Sequence, residues 1–443
     1  MTTGFLKTLQ EPVYWLTDAT VPKTLIDQGV SDSSLPDADQ DGLIAVDLLI
    51  DHGKIAKIQS SGGAKAVNAP HIALDNGMVL PCFVDMHTHL DKGHIWPRRR
   101  NPDGTFAGAL ENVAIDRAAN WSAEDVHRRM DFALRCAYAH GTSAIRTHLD
   151  SVSPQHRISW PVFEAMRDRW AGRVDLQASA LFGINFALDT NFLAELVGMI
   201  AAAKGILGSV TYMIPELDAG LSAMFRMAAD QGLDLDFHVD ETADPAARTL
   251  SHIARKAIET RFQGKITVGH CCSLARQDAS EADETLDLVA EAGIAVVSLP
   301  MCNMYLQDRT SGRTPRWRGI TLLHEMAARG IPVAVASDNT RDPFYAYGDL
   351  DGLEVFREAV RIAHLDHPFG DWPHVITRTP ADVMRMPDHG RISEGAKADL
   401  IVFRGRRWSE LLSRPQSDRT VLRSGKAIDQ TLPDYRELDD IVH

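Results

Sequence analysis

The sequence predicts an α/β fold, a (β/α)8 barrel, with a small β domain made by both chain termini. Three observations carry this. From Leu80 onward, short apolar runs of strand length alternate with longer stretches of helical periodicity. Eight such runs occur, as many as a barrel needs. The segments before residue 80 and after about residue 395 share another texture, in which short alternating strands are broken by turn residues.

In chain order, residues 43–50 and 54–58 alternate as strands, and Asp51-His52-Gly53 between them is a turn signal, so the pair reads as a β-hairpin. Residues 30–42 are rich in Ser, Asp and Gly and read as an exposed loop. The barrel strands are expected at 80–85, 143–146, 175–182, 208–214, 233–237, 265–269, 295–299 and 332–336. Helices are expected between them, among others at 123–140, 192–204, 221–231 and 282–292. An open doubly wound sheet is the alternative, weakened because no Gly-x-Gly-x-x-Gly follows the first strand. Residues 398–403 and 420–423 read as strands again, with a turn at Ser424-Gly425-Lys426. The expected division is therefore 1–80 and 396–443 as the halves of the β domain, around a barrel of 81–395.

A chain of 443 residues, 44% hydrophobic and 24% charged, has the make-up of a globular protein with a large core. Its net charge of −14 and pI of about 5.7 oppose binding to phosphate backbones, which excludes a nucleic-acid polymer as partner. The five cysteines, Cys82, Cys136, Cys271, Cys272 and Cys302, are odd in number and contain no Cys-x-x-Cys. They suggest neither a disulfide framework nor a thiolate zinc site, and fit a reducing cytoplasm. With no basic-then-apolar leader pattern and no run of about 18 apolar residues, a cytoplasmic protein without a membrane partner is expected. The expected partners are a small nitrogen heterocycle and further copies of the same chain.

In a parallel barrel, residues at the strand C-termini converge on one face, where catalytic groups sit. His87 and His89 stand at i and i+2 on the first strand, on one face with Cα atoms about 7 Å apart, so both imidazoles can close on one metal ion. Strand two ends in Arg146-Thr147-His148-Leu149-Asp150, strand five in His238-Val239-Asp240-Glu241, strand six in His270 and strand eight in Asp338. Strand four ends near Met213-Ile214-Pro215, with no Lys or His. Taken singly, a histidine such as His270 is more often a hydrogen-bonded structural residue, and an aspartate such as Asp338 more often a helix N-cap. Together, four histidines and an aspartate at strand ends make a nitrogen and oxygen donor set that suits zinc or iron. His148 either touches substrate or holds a loop, and the second is favoured. Trp96 to Gly104 is a long polar connection whose Arg98, Arg99 and Arg100 could recognise an anion, but a run of charge is more often a solvated loop, here part of a lid.

His87-x-His89, His238, His270 and Asp338, in this order, resemble the amidohydrolase superfamily, and within it bacterial cytosine deaminase and its close relatives. The matching stretches are His-Thr-His-Leu-Asp at 87–91, Arg-Thr-His-Leu-Asp at 146–150 and His-Val-Asp-Glu at 238–241. More particular are Asn303-Met304-Tyr305-Leu306-Gln307, Arg318-Gly319-Ile320-Thr321 and Asp342-Pro343-Phe344. The resemblance implies a distorted (β/α)8 barrel of the TIM type with a small β-sandwich. It implies one divalent metal ion per chain, zinc or iron, on His87, His89, His238 and Asp338. Glu241 would shuttle protons and His270 would hold or polarise the hydrolytic water. Two-metal members carry a lysine at the end of strand four, which this chain lacks.

The residue types agree with that chemistry. A divalent metal lowers the pKa of water from about 15.7 towards about 7. Attack on an amidine-like ring carbon then requires a carboxyl group to ferry protons, and Glu241, three residues beyond His238, is placed to do so; Asp338 could both ligate and accept the water's proton. The expectation is a metal-dependent deaminase of a cytosine-like amino-heterocycle, releasing ammonia in pyrimidine metabolism. Alternatives are hydrolysis of another C–N bond on the same scaffold, a ring amide or an alkylamino-triazine, and a non-catalytic, assembly-forming relative. The triazine group shares Ser337-Asp338-Asn339 but lacks the glutamate. The unrelated cytidine-deaminase fold needs His-x-Glu with Pro-Cys-x-x-Cys, and neither occurs.

The substrate-reading residues depart from the family. Its glutamine after strand three falls near Gly183, with Asn185 as a substitute; its second aspartate is Asn339; its tryptophan is Phe344. A pocket roomier at Gly183 is expected, with cytosine a poor substrate beside a substituted pyrimidine, isoguanine or another amino-azaheterocycle.

Overall fold

A computed structural model of the chain describes residues 11–27, 35–63, 67–415 and 418–442. The expected loop at 30–42 lies outside the described residues as far as residue 34; residues 35–38 carry no helix or strand. The strands, in chain order, are β1 (Val13–Pro22), β2 (Leu43–Asp51), β3 (Lys54–Ser60), β4 (His71–Ala73), β5 (Val79–Pro81), β6 (Phe83–Thr88), β7 (Thr142–Asp150) and β8 (Asp175–Leu181). They continue with β9 (Leu207–Thr211), β10 (Leu235–Val239), β11 (Ile266–His270), β12 (Ala295–Ser298), β13 (Val333–Val335), β14 (Leu400–Phe403), β15 (Arg419–Arg423) and β16 (Lys426–Ala427). The chain divides into two compact units.

One unit comprises residues to 84, 135–144 and 351–433. It holds two four-stranded sheets, ordered β3-β2-β1-β4 and β16-β15-β14-β5. The expected hairpin is β2 with β3, antiparallel, Asp51 opposite Lys54. His52 and Gly53 turn it with φ of 45° and 81°, the left-handed pair that a two-residue hairpin loop needs. Gly53 is also sterically required, since a Cβ there would lie 2.8 Å from the Ser424 carbonyl oxygen. The second sheet joins the two ends of the chain: Leu80 of β5 pairs with Ile401 of β14. Leu16, Val46, Leu48 and Ile55 from the first sheet and Val79, Leu400, Val402 and Leu422 from the second are buried in one apolar cluster. The i, i+2 spacing of Leu400 and Val402 places both on one face of their strand.

The other unit comprises 85–134, 145–350 and 434–443 and carries a TIM-barrel-like α/β arrangement. Its strands lie in a sheet ordered β6-β7-β8 and a parallel sheet ordered β9-β10-β11-β12-β13. Single parallel bridges, Ser179 to Ile206 and Gly183 to Val210 on one side and Thr88 to Asp338 on the other, link the two sheets. Helices follow the strands along the chain, among them Ala123–His140, at the expected bounds, and Thr190–Ala202. The latter begins two residues before expectation because the Asp189 side chain caps it, accepting from the Asn191 and Phe192 amides at 3.1 Å.

Two boundaries differ from expectation. The run 80–85 reads as one strand, but the backbone changes partners inside it: Cys82 N donates to Asp399 O and Phe83 N to Gly141 O, each at 3.0 Å. An unbroken apolar run carries no mark of such a change. The units also divide elsewhere than at 80 and 395. Residues 351–395 go with the terminal β segments, where Asp351 pairs with Arg419, and 434–443 with the barrel strands, where Asp440 pairs with Arg128. Periodicity reports an element's type and not its partner. All five cysteines are buried. Among the described residues, no helix is long and apolar enough to cross a membrane.

Candidate metal centre and active site

The strand ends bring together the residues the spacing singled out. Asp338 N donates to the His87 carbonyl at 2.8 Å, and Thr88 Oγ1 donates to the Asp338 carbonyl at 2.8 Å, which fixes the end of β6 against the turn after β13. His238 lies in register with Gly269, and a Cβ on Gly269 would sit 2.8 Å from His87 Cε1, so glycine there leaves room for the ring. His270 and Asp338 take positive φ, 72° and 60°, a conformation costly for residues with a Cβ and typical of functional positions.

Four donor atoms converge. His238 Nε2 is 3.1 Å from His87 Nε2 and 3.4 Å from His89 Nε2. Asp338 Oδ1 is 3.2 Å from His89 Nε2 and 3.7 Å from His87 Nε2. Neighbouring ligands about 2.1 Å from a tetrahedral zinc ion stand about 3.4 Å apart, and these four separations are of that order; among the described residues, the sets whose donor atoms all lie within 4.8 Å of one another are His87, His148 and His238, then His87, His270 and Asp338, and then Glu241, Cys302 and Asp338. Burial, and after it the neighbouring His148, holds His87 and His238 well below the usual imidazole range; for His89, burial and then Lys92 do the same. The three rings are thus neutral donors. Neither buried oxygen of Asp338 meets an N–H or O–H donor among the described residues, and a bound cation is what satisfies such a carboxylate. The donor set fits a divalent ion of the zinc or iron kind.

One step down the strands lies a polar layer. The His148 ring centroid is 3.9 Å from that of His87, and its Nε2 is 3.1 Å from Asp236 Oδ1. Asp236 Oδ2 accepts from Arg146 at 2.9 Å, and Arg146 also donates to Gln177 at 2.8 Å. The sequence reading favoured a loop-holding role for His148; instead its ring packs against His87 and Asp236. The alternation of β7 puts Arg146 and His148 on one face, and that of β10 does so for Asp236 and His238.

Glu241, His270 and Asn303 form a second group. Glu241 Oε1 is 3.5 Å from His270 Nδ1. The Asn303 amide nitrogen donates to both, at 3.1 Å and 2.9 Å. Gln307 Nε2 donates to the Glu241 backbone carbonyl at 3.2 Å. Burial, and after it the Asp338 charge, holds the Glu241 carboxyl well above the usual range. Burial and then His148 lower His270 to about 3. With Nδ1 accepting from Asn303, the single ring proton of neutral His270 sits on Nε2, which has no partner among the described residues. Sequence reasoning picked out the stretch from Asn303 to Gln307 as a family match but gave neither amide a role, because neither titrates. Their signal was position: both follow β12, on and just after the helix Pro300–Leu306.

The expected substrate-reading residues are placed as follows. A Cβ on Gly183 would lie 2.6 Å from the Tyr212 hydroxyl and 2.7 Å from Asn185 Oδ1, and the Tyr212 hydroxyl donates to Asn185. The space expected to be roomier is filled by Tyr212, a residue past the end of β9 that a search for metal ligands passed over. Asn339 gives its amide nitrogen to Asp342 at 2.7 Å, and its Oδ1 faces the Cys302 thiol at 3.6 Å. Phe344 lies under Lys92, whose Nζ is 5.0 Å from the ring centroid. Arg98 is neither solvated nor free for an anion: Asp116 and Asp125 share its guanidinium, at 2.9 Å and 2.5 Å.

The Amidohydro_3 model, described as an amidohydrolase family, matches residues 174–431. A pterin deaminase from Rhizobium rhizogenes (strain K84 / ATCC BAA-868) is 57% identical over 442 residues, covering 100% of both chains. An N-isopropylammelide isopropyl amidohydrolase from Pseudomonas sp. (strain ADP) is 25% identical over 336 residues, 74% of this chain and 79% of its own. The crystal structure of 5-methylcytosine deaminase from Klebsiella pneumoniae liganded with 5-fluorocytosine superposes with a TM-score of 0.78 at 22% identity, covering 95% of this chain and 98% of that one. The chain belongs to the amidohydrolase family.

Proposed function

We propose that this chain is a metal-dependent aminohydrolase that exchanges the exocyclic amine of a pterin-type ring for oxygen and releases ammonia. The observation that carries the reading is full-length 57% identity to a pterin deaminase, and the Glu241 group beside Asp338 supports the deamination chemistry. This bicyclic substrate takes the place of the cytosine-like ring expected from the motifs.

A divalent ion on His87, His89, His238 and Asp338 would supply Lewis acidity, lowering the pKa of water towards about 7. Asp338, whose two oxygens meet no N–H or O–H donor among the described residues, takes one proton from the attacking water. Glu241, whose carboxyl burial and then the Asp338 charge hold well above the usual range, protonates the ring nitrogen beside the attacked carbon. His270 donates from Nε2 to the incoming oxygen. The proton on Asp338 then passes to the amine, the C–N bond breaks, and ammonia leaves. The new hydroxyl returns its proton to Glu241 as the carbonyl forms, so each group ends in its starting state.

The test is ammonia release from pterin, cytosine and isoguanine in parallel. A kcat/KM for pterin of about 10⁴ M⁻¹s⁻¹ or more, and well above that for cytosine, is expected. No ammonia from pterin, or cytosine as the best of the panel, overturns the reading.

A further inference from the structure

The Cys302 thiol stands beside both carboxyl groups that handle protons. One oxygen of Glu241, Cys302 Sγ and one oxygen of Asp338 lie within 4.8 Å of one another. Three places in the fold supply them: Glu241 follows β10, Cys302 sits on the helix Pro300–Leu306 after β12, and Asp338 follows β13. Cys302 and Asp338 are buried, while the Glu241 side chain is partly exposed and opens the group to solvent. The deamination steps give both carboxyl groups a task and the thiol none.

The thiol's own neighbours are poor partners. Its acceptors are Asn339 Oδ1 at 3.6 Å and the Phe344 carbonyl at 3.9 Å, weak contacts for one S–H. Burial, and then the Asp338 and Glu241 charges, hold the thiol well above its usual range, so it is neutral and a weak nucleophile. A divalent ion reverses that balance, because a coordinating thiol gives up its proton outright. Oxygen donors stand ready beside it. Asp338 Oδ1 faces His87 and His89, and Oδ2 also meets no N–H or O–H donor among the described residues. A carboxylate has lone pairs enough to bridge two ions. Glu241 Oε1 accepts from Asn303, which leaves Oε2 for another partner. The Lys92 ammonium is the charge that opposes a cation here, and Asp150 engages it at 3.3 Å.

We propose that Glu241, Cys302 and Asp338 form an inhibitory site for a second, thiophilic divalent ion, of the zinc or cadmium kind, beside the resident one. A thiolate ligand selects such ions over magnesium, which prefers an octahedron of oxygens. On binding, the Cys302 S–H bond breaks and a sulfur–metal bond forms. That proton and the Glu241 proton leave to water, and no oxidation state changes. The ion then holds the proton donor and the base together, so neither serves the substrate. This second ion blocks turnover and takes no part in it. The inference rests on the proposed function for the roles of Glu241 and Asp338 in turnover, but not for the binding of the ion.

The test titrates protein carrying one zinc ion per chain with Co²⁺ and follows the sulfur-to-cobalt charge-transfer absorption in the near ultraviolet. The resident ligands contain no sulfur, so the band reports the second site. It should saturate at one ion beyond the resident one, in step with loss of ammonia release, and Cd²⁺ but not Mg²⁺ should abolish it. Cys302→Ser and Cys302→Ala should keep the basal rate and lack the band. Half-inhibition by Zn²⁺ should need about tenfold more ion in them, at least what the loss of an outer-shell partner costs. Cys272→Ala should keep the band. No band with cobalt in large excess, a band that persists in both Cys302 variants, or unchanged inhibition by zinc overturns the inference. Should neither Cys302 variant fold, Cys272→Ala decides, by keeping the band or losing it. If no ring releases ammonia, the pterin-type reading has failed, and the absorption arm still decides for or against the site.

Discussion

Asn303 donates to His270 Nδ1 at 2.9 Å, and this one contact decides which nitrogen of the buried imidazole carries the proton. Because Nδ1 accepts, Nε2 is the donor. Asn303→Asp places an acceptor opposite Nδ1, draws the proton to that nitrogen and leaves Nε2 without one. Turnover should fall about 10²-fold with KM changed far less, in keeping with the loss of one proton-handling or oxyanion-binding group. Histidine ¹⁵N resonances, compared in wild type and variant, check the tautomer directly. An unchanged His270 tautomer or unchanged kcat refutes the assignment.

Glu241→Gln removes the transferable proton and keeps the size of the side chain. The variant should retain its metal and melting temperature and lose about 10² to 10⁴ in kcat. Metal analysis beside steady-state rates distinguishes this from a ligand role, in which the variant loses its ion.

The proposed site on His87, His89, His238 and Asp338 is read as holding one ion. Elemental analysis should give about one zinc or iron per chain, and a chelator should abolish turnover. Asp338→Asn should bind the ion more weakly and be inactive even when reloaded, because it loses a ligand and a base together. Two tightly held ions per chain, both required for activity, contradict this.

Acid stability should respond to Asp351. Burial alone would raise its carboxyl, but the paired Arg419 guanidinium and His140 outweigh burial and bring it down to about 2. A depressed carboxylate stabilises the fold above its unfolded pKa of about 3.8, and that contribution disappears as pH falls towards 2. At 1.36 kcal/mol per unit it is worth about 2 kcal/mol at neutral pH. Asp351→Asn should therefore lower the melting temperature clearly at pH 7, and the gap to wild type should narrow between pH 4 and pH 2. A gap that stays constant through this range shows that the pair does not act through ionisation.

The convergence of the candidate metal ligands was legible because strand alternation and barrel geometry send titratable strand-end residues to one place. His87, His89, His238 and Asp338 needed no knowledge of side-chain packing. Asn303 was noticed only as part of a matching stretch, because a neutral amide carries no chemistry until its partners are known. Gly183 misled for a related reason: the absence of a side chain says nothing about which neighbour fills the gap, and Tyr212 does. Arg98 sits in a run of three arginines that reads as solvated, yet its partners Asp116 and Asp125 lie 18 and 27 residues further on. The split of residues 80–85 between β5 and β6 was hidden because hydrophobicity is continuous across it, while the hydrogen-bond partners are not.

The pairing of β5 with β14 bears on how the chain is made. Leu80 leaves the ribosome about 320 residues before its partner Ile401. At about 5 to 20 residues per second, the β5 edge waits roughly 15 to 60 s for the strand that covers it. The first sheet can form early, since β1, β2, β3 and β4 all lie within residues 13–73, but the second cannot begin until translation is almost over. Slowed elongation lengthens the exposure of that edge, so yield of folded protein should depend on translation speed and on chaperones that shield unpaired strands.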